Sequence, residues 1–485
     1  MLFQIGSGLG QDNRQQSARI MSSGRRRFSI PFGMSVCRTR LQRRLLLAGS
    51  VAFLFVLASG TQAEEAVGPT TTPLPNYPAP PENIMEATSS PLNPTPESNL
   101  HRAVVPENEV SSEPRRFHYG FQVTARGVYD DNINISQTNR VSDYYFAIEP
   151  ILTLGLGDIT GHEDNYIRLD YAPSLFLFAD HSEDDAVQQL IHLEGQHQFS
   201  KLTVKFGEEI AILDGTDLRT LGDLSSPGGQ ANLDVSARTR FQTYNTRIEA
   251  SYDLSGKTFL SSEVDSSITA YDSSNLFSSE VVSGNLFMNY RYSDKLAVGI
   301  GGTGGYDRVD GSNPDQTFEQ ANARIGYQAT GKISLNVSGG IEFRQFENNS
   351  RGEYISPVFE VNASYQPFDG TTVALSGSRR TYNSGVLAGQ DFAGTMITVD
   401  LRQRLLQRFY FAVSGGYQNS DYFSTVNGVV ANRRDNYYFA EPSLEFSITR
   451  FWTVGGYYLH RQNNTSLQSF SFYDNQFGFR TTLKF

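Results

Sequence analysis

Residues 473–485 read YDNQFGFRTTLKF, and their apolar side chains fall on every second position. One face carries Tyr473, Phe477, Phe479, Leu483 and Phe485, broken only by Asn475 and Thr481. The other carries Asp474, Gln476, Gly478, Arg480, Thr482 and Lys484. Successive side chains of a β-strand point to opposite faces, so one face here is greasy and the other wet. At roughly 13 residues the segment is long for a soluble strand, which usually has about 5–6. A tilted strand of about 9–11 residues crosses a bilayer. The reading is a membrane-crossing strand that ends on Phe485.

The same pattern begins at Phe117. Phe117, Tyr119, Phe121, Val123, Ala125, Gly127 and Tyr129 alternate with His118, Gln122, Thr124 and Arg126. Aromatics stand at both ends of that apolar face, where a strand meets the two membrane interfaces. Comparable alternation returns at 167–177, 244–252, 321–327 and 359–365. Two kinds of connection alternate between the runs. Ser255-Gly256-Lys257, Ser293-Asp294-Lys295 and Phe368-Asp369-Gly370 are tight-turn chemistries suited to hairpins. Segments such as 130–143, 214–238 and 420–434 are long and polar. Short turns at one end and long loops at the other are the asymmetry of a transmembrane barrel. The path predicts an all-β fold, a transmembrane antiparallel β-barrel of about 18 strands over 117–485, or 16 if 187–199 and 239–254 are not strands. Both chain ends of the barrel then lie on the short-turn side, which places the N-terminal tail and Phe485 in the periplasm. Composition agrees, with 12% aromatics, a mean hydropathy of −0.37 and no run after residue 63 near the roughly 20 apolar residues of a spanning helix.

The one long apolar run, LLLAGSVAFLFVLA at 45–58, follows Arg38, Arg40, Arg43 and Arg44 and precedes Ser59 to Ala63. A basic region, a short apolar core and a small-residue cleavage site make a secretory signal peptide over 1–63, with Met21 or Met34 as alternative starts. The only cysteine, Cys37, leaves with that leader, so the exported chain has no thiol chemistry and no lipid-anchoring cysteine. Removing the leader's nine Lys/Arg and one acid takes the formal charge from −11 to −19, which argues against a nucleic-acid partner. Residues 64–116 hold most of the prolines and read as a disordered periplasmic tail.

No cofactor or metal motif survives its context. Gly299 to Gly304 fits a dinucleotide fingerprint but lies inside a strand with no helix after it, so small residues easing wall packing explain it better. Asp130-Asp131-Asn132 and Asp307 to Asp315 lack EF-hand spacing. His181 and His192 have no nucleophile motif beside them, and the chain is read as a non-enzyme. The lumen carries the candidates. Inward positions on the early-middle strands hold Glu194, Glu209, Glu249, Glu263 and Asp265; later strands hold Arg324, Arg344, Arg380, Arg402 and Arg404. Glu342, Glu360 and Asp400 blur the division. Two readings stand: opposite walls of opposite charge producing a transverse field, or paired charges stiffening the wall. The longest loop, 214–238, is the candidate constriction, with Asp214, Asp217, Arg219 and Asp223 and a Gly228-Gly229 hinge.

The opening FQVTARGVYDDNINISQTNRVSDYYFAIEPILTLGLGD resembles a broad family of bacterial outer-membrane β-barrel porins. The resemblance rests on the Tyr-Asp-Asp-Asn segment, here Tyr129 to Asn132, and on a P-x-L-x-L strand, here Pro150 to Leu154. The terminal strand likewise resembles those that end such barrels in Phe and are read by the barrel assembly machinery, which makes Phe485 an assembly signal. The resemblance implies a Gram-negative outer-membrane location in contact with lipid, and transport of small polar solutes. Because some relatives accompany exopolysaccharide or capsule secretion, it also implies a possible export of glycan. It brings no catalytic residues. A structural or adhesion barrel with a closed lumen and binding outer loops is the alternative function. The oligomeric state is left open.

Overall fold

Among the described residues the alternating segments form eighteen strands. In chain order they are β1 (Phe117–Asp130), β2 (Asp143–Gly157), β3 (Tyr166–Phe178), β4 (Ala186–Gln198), β5 (Leu202–Leu213) and β6 (Phe241–Asp253). Then come β7 (Thr258–Tyr271), β8 (Ser279–Ser293), β9 (Leu296–Val309), β10 (Gln316–Thr330), β11 (Ile333–Phe346) and β12 (Tyr354–Tyr365). The last six are β13 (Thr371–Asn383), β14 (Gln390–Arg404), β15 (Phe409–Ser424), β16 (Arg434–Ser447), β17 (Trp452–Thr465) and β18 (Phe472–Lys484). The computed structural model describes residues 117–485 apart from 158, 160–164, 215–233, 236–238, 312, 331 and 348–350. The leader with Met21 and Met34, the Pro-rich segment 64–116, and Asp217, Arg219 and Asp223 therefore lie outside the described residues.

Each strand pairs antiparallel with its chain neighbours, and β1 also pairs with β18, which closes the sheet into a barrel. Closure removes the open edge that lipid would leave unsatisfied, at several kcal/mol per backbone group. At the seam Phe485 donates its N–H to the Phe121 carbonyl (2.8 Å) and accepts from the Phe121 N–H (3.2 Å). The two rings stack with centroids 6.3 Å apart.

Exposure follows sequence parity. In β18, Tyr473, Phe477 and Phe479 are exposed while Asp474, Gln476, Gly478 and Arg480 between them are buried. Exposed aromatics gather at both ends of the wall: Tyr252, Tyr290, Tyr327, Tyr365 and Trp452 near the short turns, Tyr144, Tyr306 and Tyr473 near the long loops. These are the two girdles of a membrane-crossing barrel. The short turns use the chemistry their sequences promise; Gly370, for example, sits at φ +84°, a conformation open to glycine.

Strand ends differ from the sequence reading mainly at the long-loop side. β15 runs on to Ser424, into the stretch 420–434 read as a loop, and β17 runs on to Thr465. Apolar alternation reports contact with lipid, whereas the hydrogen-bonded ladder continues past it.

One interface is short. β12 pairs with β13 only from Phe359↔Arg379 to Tyr365↔Val373, although both strands continue toward the long loops. Beyond Arg379, β13 leaves β12 and folds into the lumen, carrying the paired end of β14 with it. Asn383 Nδ2 on β13 donates to Asp307 Oδ1 on β9 (2.6 Å), although β10, β11 and β12 stand between those strands in the wall. Gln316 Nε2 on β10 likewise donates to Asp391 Oδ2 on β14 (2.8 Å). Tyr354 of β12 instead stacks on Phe423 of β15, centroids 3.9 Å apart. The local sequence explains the turn inward. Val373 and Leu375 give β13 an apolar outer face, but Arg379, Thr381 and Asn383 continue it as a polar one that lipid would not accept.

Candidate functional site in the barrel lumen

Parity turns the polar half of every strand inward, so the lumen is lined by what the lipid excludes. A cavity of about 330 Å³ occupies the wall region of β5–β13. Glu209, Glu263, Asp265, Arg324, Arg344 and Arg380 line it, while Glu249 lines a smaller adjoining cleft with Glu263 and Arg324. The other candidates lie elsewhere on the inner wall. Glu194 stands 4.0 Å from Arg168. Arg402 stands 3.8 Å from Glu445, which also binds Arg480 at 2.6 Å. Arg404 is exposed beside the Gly370 turn, where its backbone N–H donates to the Gly370 carbonyl (2.6 Å).

Charges of opposite sign meet along the wall at close range. Arg247 Nε lies 2.7 Å from Asp265 and 3.5 Å from Glu263. Arg344 bridges Asp307 and Glu342, each at 3.0 Å. Arg380 pairs with Glu360 at 2.5 Å. Arg324 donates to Asn289 Oδ1 (2.9 Å) and to Ser261 Oγ.

Two of these guanidiniums are seated by glycine. A Cβ on Gly301 would fall 2.6 Å from the Phe287 ring, and one on Gly305 would fall 2.2 Å from the Phe318 ring. The missing side chains let both rings lie against the wall. Arg324 then stands 4.2 Å above the Phe287 centroid and Arg344 4.8 Å above that of Phe318, within cation–π range. Within the Gly299 to Gly304 run, Gly301 thus makes room for the Phe287 ring.

The long-loop mouth holds a residue the sequence reading passed over. Asp234, in the segment between β5 and β6, is buried against the infolded strands of the opposite wall. It accepts from Tyr422 Oη (2.6 Å), Ser384 Oγ (2.8 Å) and the Gly385 N–H (2.7 Å), and pairs with Arg433 at 3.0 Å. Burial pushes its carboxyl pKa up, and Arg433, Tyr422 and Ser384 work against that shift. One aspartate in an already acidic loop carries no sequence signal of its own. Asp214, at the start of the same segment, is described and stands just past the end of β5.

Further polar clusters lie near that rim. The carboxylate oxygens of Asp130, Asp131 and Asp474 lie within 4.8 Å of one another, but Arg140 pairs with Asp131 (2.6 Å) and Arg461 with Asp474 (2.5 Å). His181 Nδ1 lies 3.0 Å from Asp143. That contact raises the His181 pKa above the ordinary 6.5.

A closed barrel with an apolar, aromatic-girdled outside and a polar, ion-paired inside is a transmembrane β-barrel of the outer-membrane type. No family model and no curated protein matches the chain. Among solved structures, it is similar to the outer membrane protein OpdK from Pseudomonas aeruginosa at 12% identity and TM-score 0.39, over 76% of this chain and 99% of that one. It is similar to OccAB4 from Acinetobacter baumannii at 8% identity and TM-score 0.41, over 77% and 100%. OprD from Pseudomonas aeruginosa is similar at 12% identity and TM-score 0.37, over 77% and 97%. At that level the fold rests on the chain's own strand pairing.

Proposed function

We propose that this protein is an outer-membrane channel through which small polar solutes diffuse. The observation that carries this reading is the polar cavity of about 330 Å³ inside a closed, membrane-crossing barrel. Barrels of about 16–18 strands leave room for an aqueous passage. The pore-lining set comprises Glu209, Glu249, Glu263, Asp265, Arg324, Arg344 and Arg380, with Glu194, Arg402 and Arg404 along the rest of the inner wall. The 214–238 loop, with Asp214, Asp217, Arg219 and Asp223, is the constriction, and its Asp234 is held by Arg433, Tyr422 and Ser384. The chain is exported through its signal peptide, keeps its tail and C-terminus in the periplasm, and offers Phe485 to the barrel assembly machinery. A cavity of this size favours small solutes over an exported polymer.

The infolded β13–β14 ends and the docked Asp234 favour a second reading, a barrel with a closed lumen whose outer loops bind partners. Planar-bilayer recording of the refolded barrel separates the two. Discrete open-channel steps are expected for a channel; a folded barrel that stays silent supports the closed one.

A further inference from the structure

The lumen cavity is nearly neutral although it is densely charged. Six carboxylates and five guanidiniums line it. The pairs Arg247–Asp265, Arg344–Glu342 and Arg380–Glu360 each close within 3.0 Å on neighbouring or identical strands. Paired charges so close present dipoles to a solute, and a dipole's field falls off faster than that of a lone charge. Salt screens what is left over about 8–10 Å. A charged solute entering the cavity would shed water and meet no net countercharge in return.

What the wall offers instead is hydroxyl and amide. Ser267, Ser283, Asn285, Thr303, Gln320 and Asn322 line the cavity on β7–β10. They already bond to one another and, at two points, to the wall's carboxylates: Asn322 Nδ2 donates to Thr303 Oγ1 (3.2 Å) and Gln320 Oε1 (3.1 Å), Ser267 Oγ to Asn245 Oδ1 (2.7 Å), Gln320 Nε2 to Glu342 (2.8 Å) and Asn245 Nδ2 to Glu209 (3.4 Å). Each such group keeps further donor or acceptor capacity, since a side-chain amide has two donors and two lone pairs and a hydroxyl can do both. The ligand that uses such a surface carries many hydroxyls, each donor and acceptor at once, and no formal charge. At roughly 30 Å³ per water, 330 Å³ corresponds to about eleven waters, space for a sugar of one or two rings.

We infer that the cavity is a binding site for neutral polyhydroxylated solutes, of mono- to disaccharide size, in preference to anions or cations. This deepens the channel reading and rests on it for transport, but binding itself is measurable without transport.

The test uses the full refolded barrel in detergent, with maltose as the neutral probe and glucuronate as the charged one of similar chemistry. Saturable maltose binding at millimolar concentration is expected, at least tenfold tighter than glucuronate. The double change Asn285→Ala with Asn322→Ala should weaken maltose binding about tenfold and leave heat-modifiable folding intact. Glu360→Gln leaves Arg380 without its acid and should move the preference severalfold toward glucuronate. Recording in bilayers then separates the two claims. Conductance with near-equal cation and anion permeability and saturable maltose block supports both. Binding without conductance keeps this inference and refutes the channel. Conductance with glucuronate bound as tightly as maltose, or with neither bound, keeps the channel and overturns the inference.

Discussion

Replacing Asp234 by alanine should remove the contact that holds this residue against Arg433, Tyr422 and Ser384. Its side chain and that of Arg433 are both at 0% exposure, 3.0 Å apart. Removing one partner of a buried ion pair costs about 3–5 kcal/mol, much of it from the charge left behind. Arg433 retains Asp435 at 2.6 Å, so it is not stranded, and the lower end, about 3 kcal/mol, applies. At ~1.4 kcal/mol per decade that is on the order of a hundredfold shift toward the undocked form. The loss is local, because the strand ladder around the barrel does not depend on this contact. Limited proteolysis of the folded barrel should therefore cut within 214–240 much faster in Asp234→Ala, with heat-modifiability unchanged. Asp234→Asn keeps an acceptor for the Gly385 N–H and should fall between the two. Equal cleavage rates in wild type and alanine variant would refute the docking argument.

Ile325 is 47% exposed on the outer face, so Ile325→Arg should cost about 2–4 kcal/mol near mid-membrane, whereas Asn322→Arg on the lumen side should be tolerated; equal denaturant midpoints would contradict the register. Deleting Phe485 removes both backbone bonds to Phe121 and should lower the amount of folded protein in the outer membrane. Phe485→Tyr should do much less, and normal levels of the deletion would make the residue ordinary. His181 should titrate by NMR above 6.5, and Asp143→Asn should return it toward that value. A contact that raises a histidine's pKa stabilises fully below the unfolded value and is lost as pH rises through the folded one. Loop 179–185 should therefore be held more tightly on the acid side, and an unshifted titration in Asp143→Asn would sink this.

Legibility in the sequence followed physical contrast. The two segments with the faintest patterning, 187–199 and 239–254, are strands at 186–198 and 241–253, because parity survives even where several positions are polar. The lumen candidates on β5–β13 were readable for the same reason: a strand that must show apolar side chains to lipid leaves its charged ones facing in. Their pairing was not readable. Arg344 meets Asp307 from two strands away, and that distance depends on register and side-chain reach.

Period-two alternation and turn chemistry are local properties, so this chain by itself determined a barrel of about eighteen strands, with sixteen left open, the wet face of most of them, and where the short turns fall. Closure of β1 on β18 followed from the cost of an open edge in lipid. The infolding of β13 and β14, the docking of Asp234 and the pairing of the lumen charges were decided only in three dimensions. Each joins groups far apart in sequence, such as Asp234 with Arg433, and such contacts exist only once the wall has bent. Nothing in the spacing of the residues records that bend; only the polar outer face at Arg379, Thr381 and Asn383 gives its physical cause.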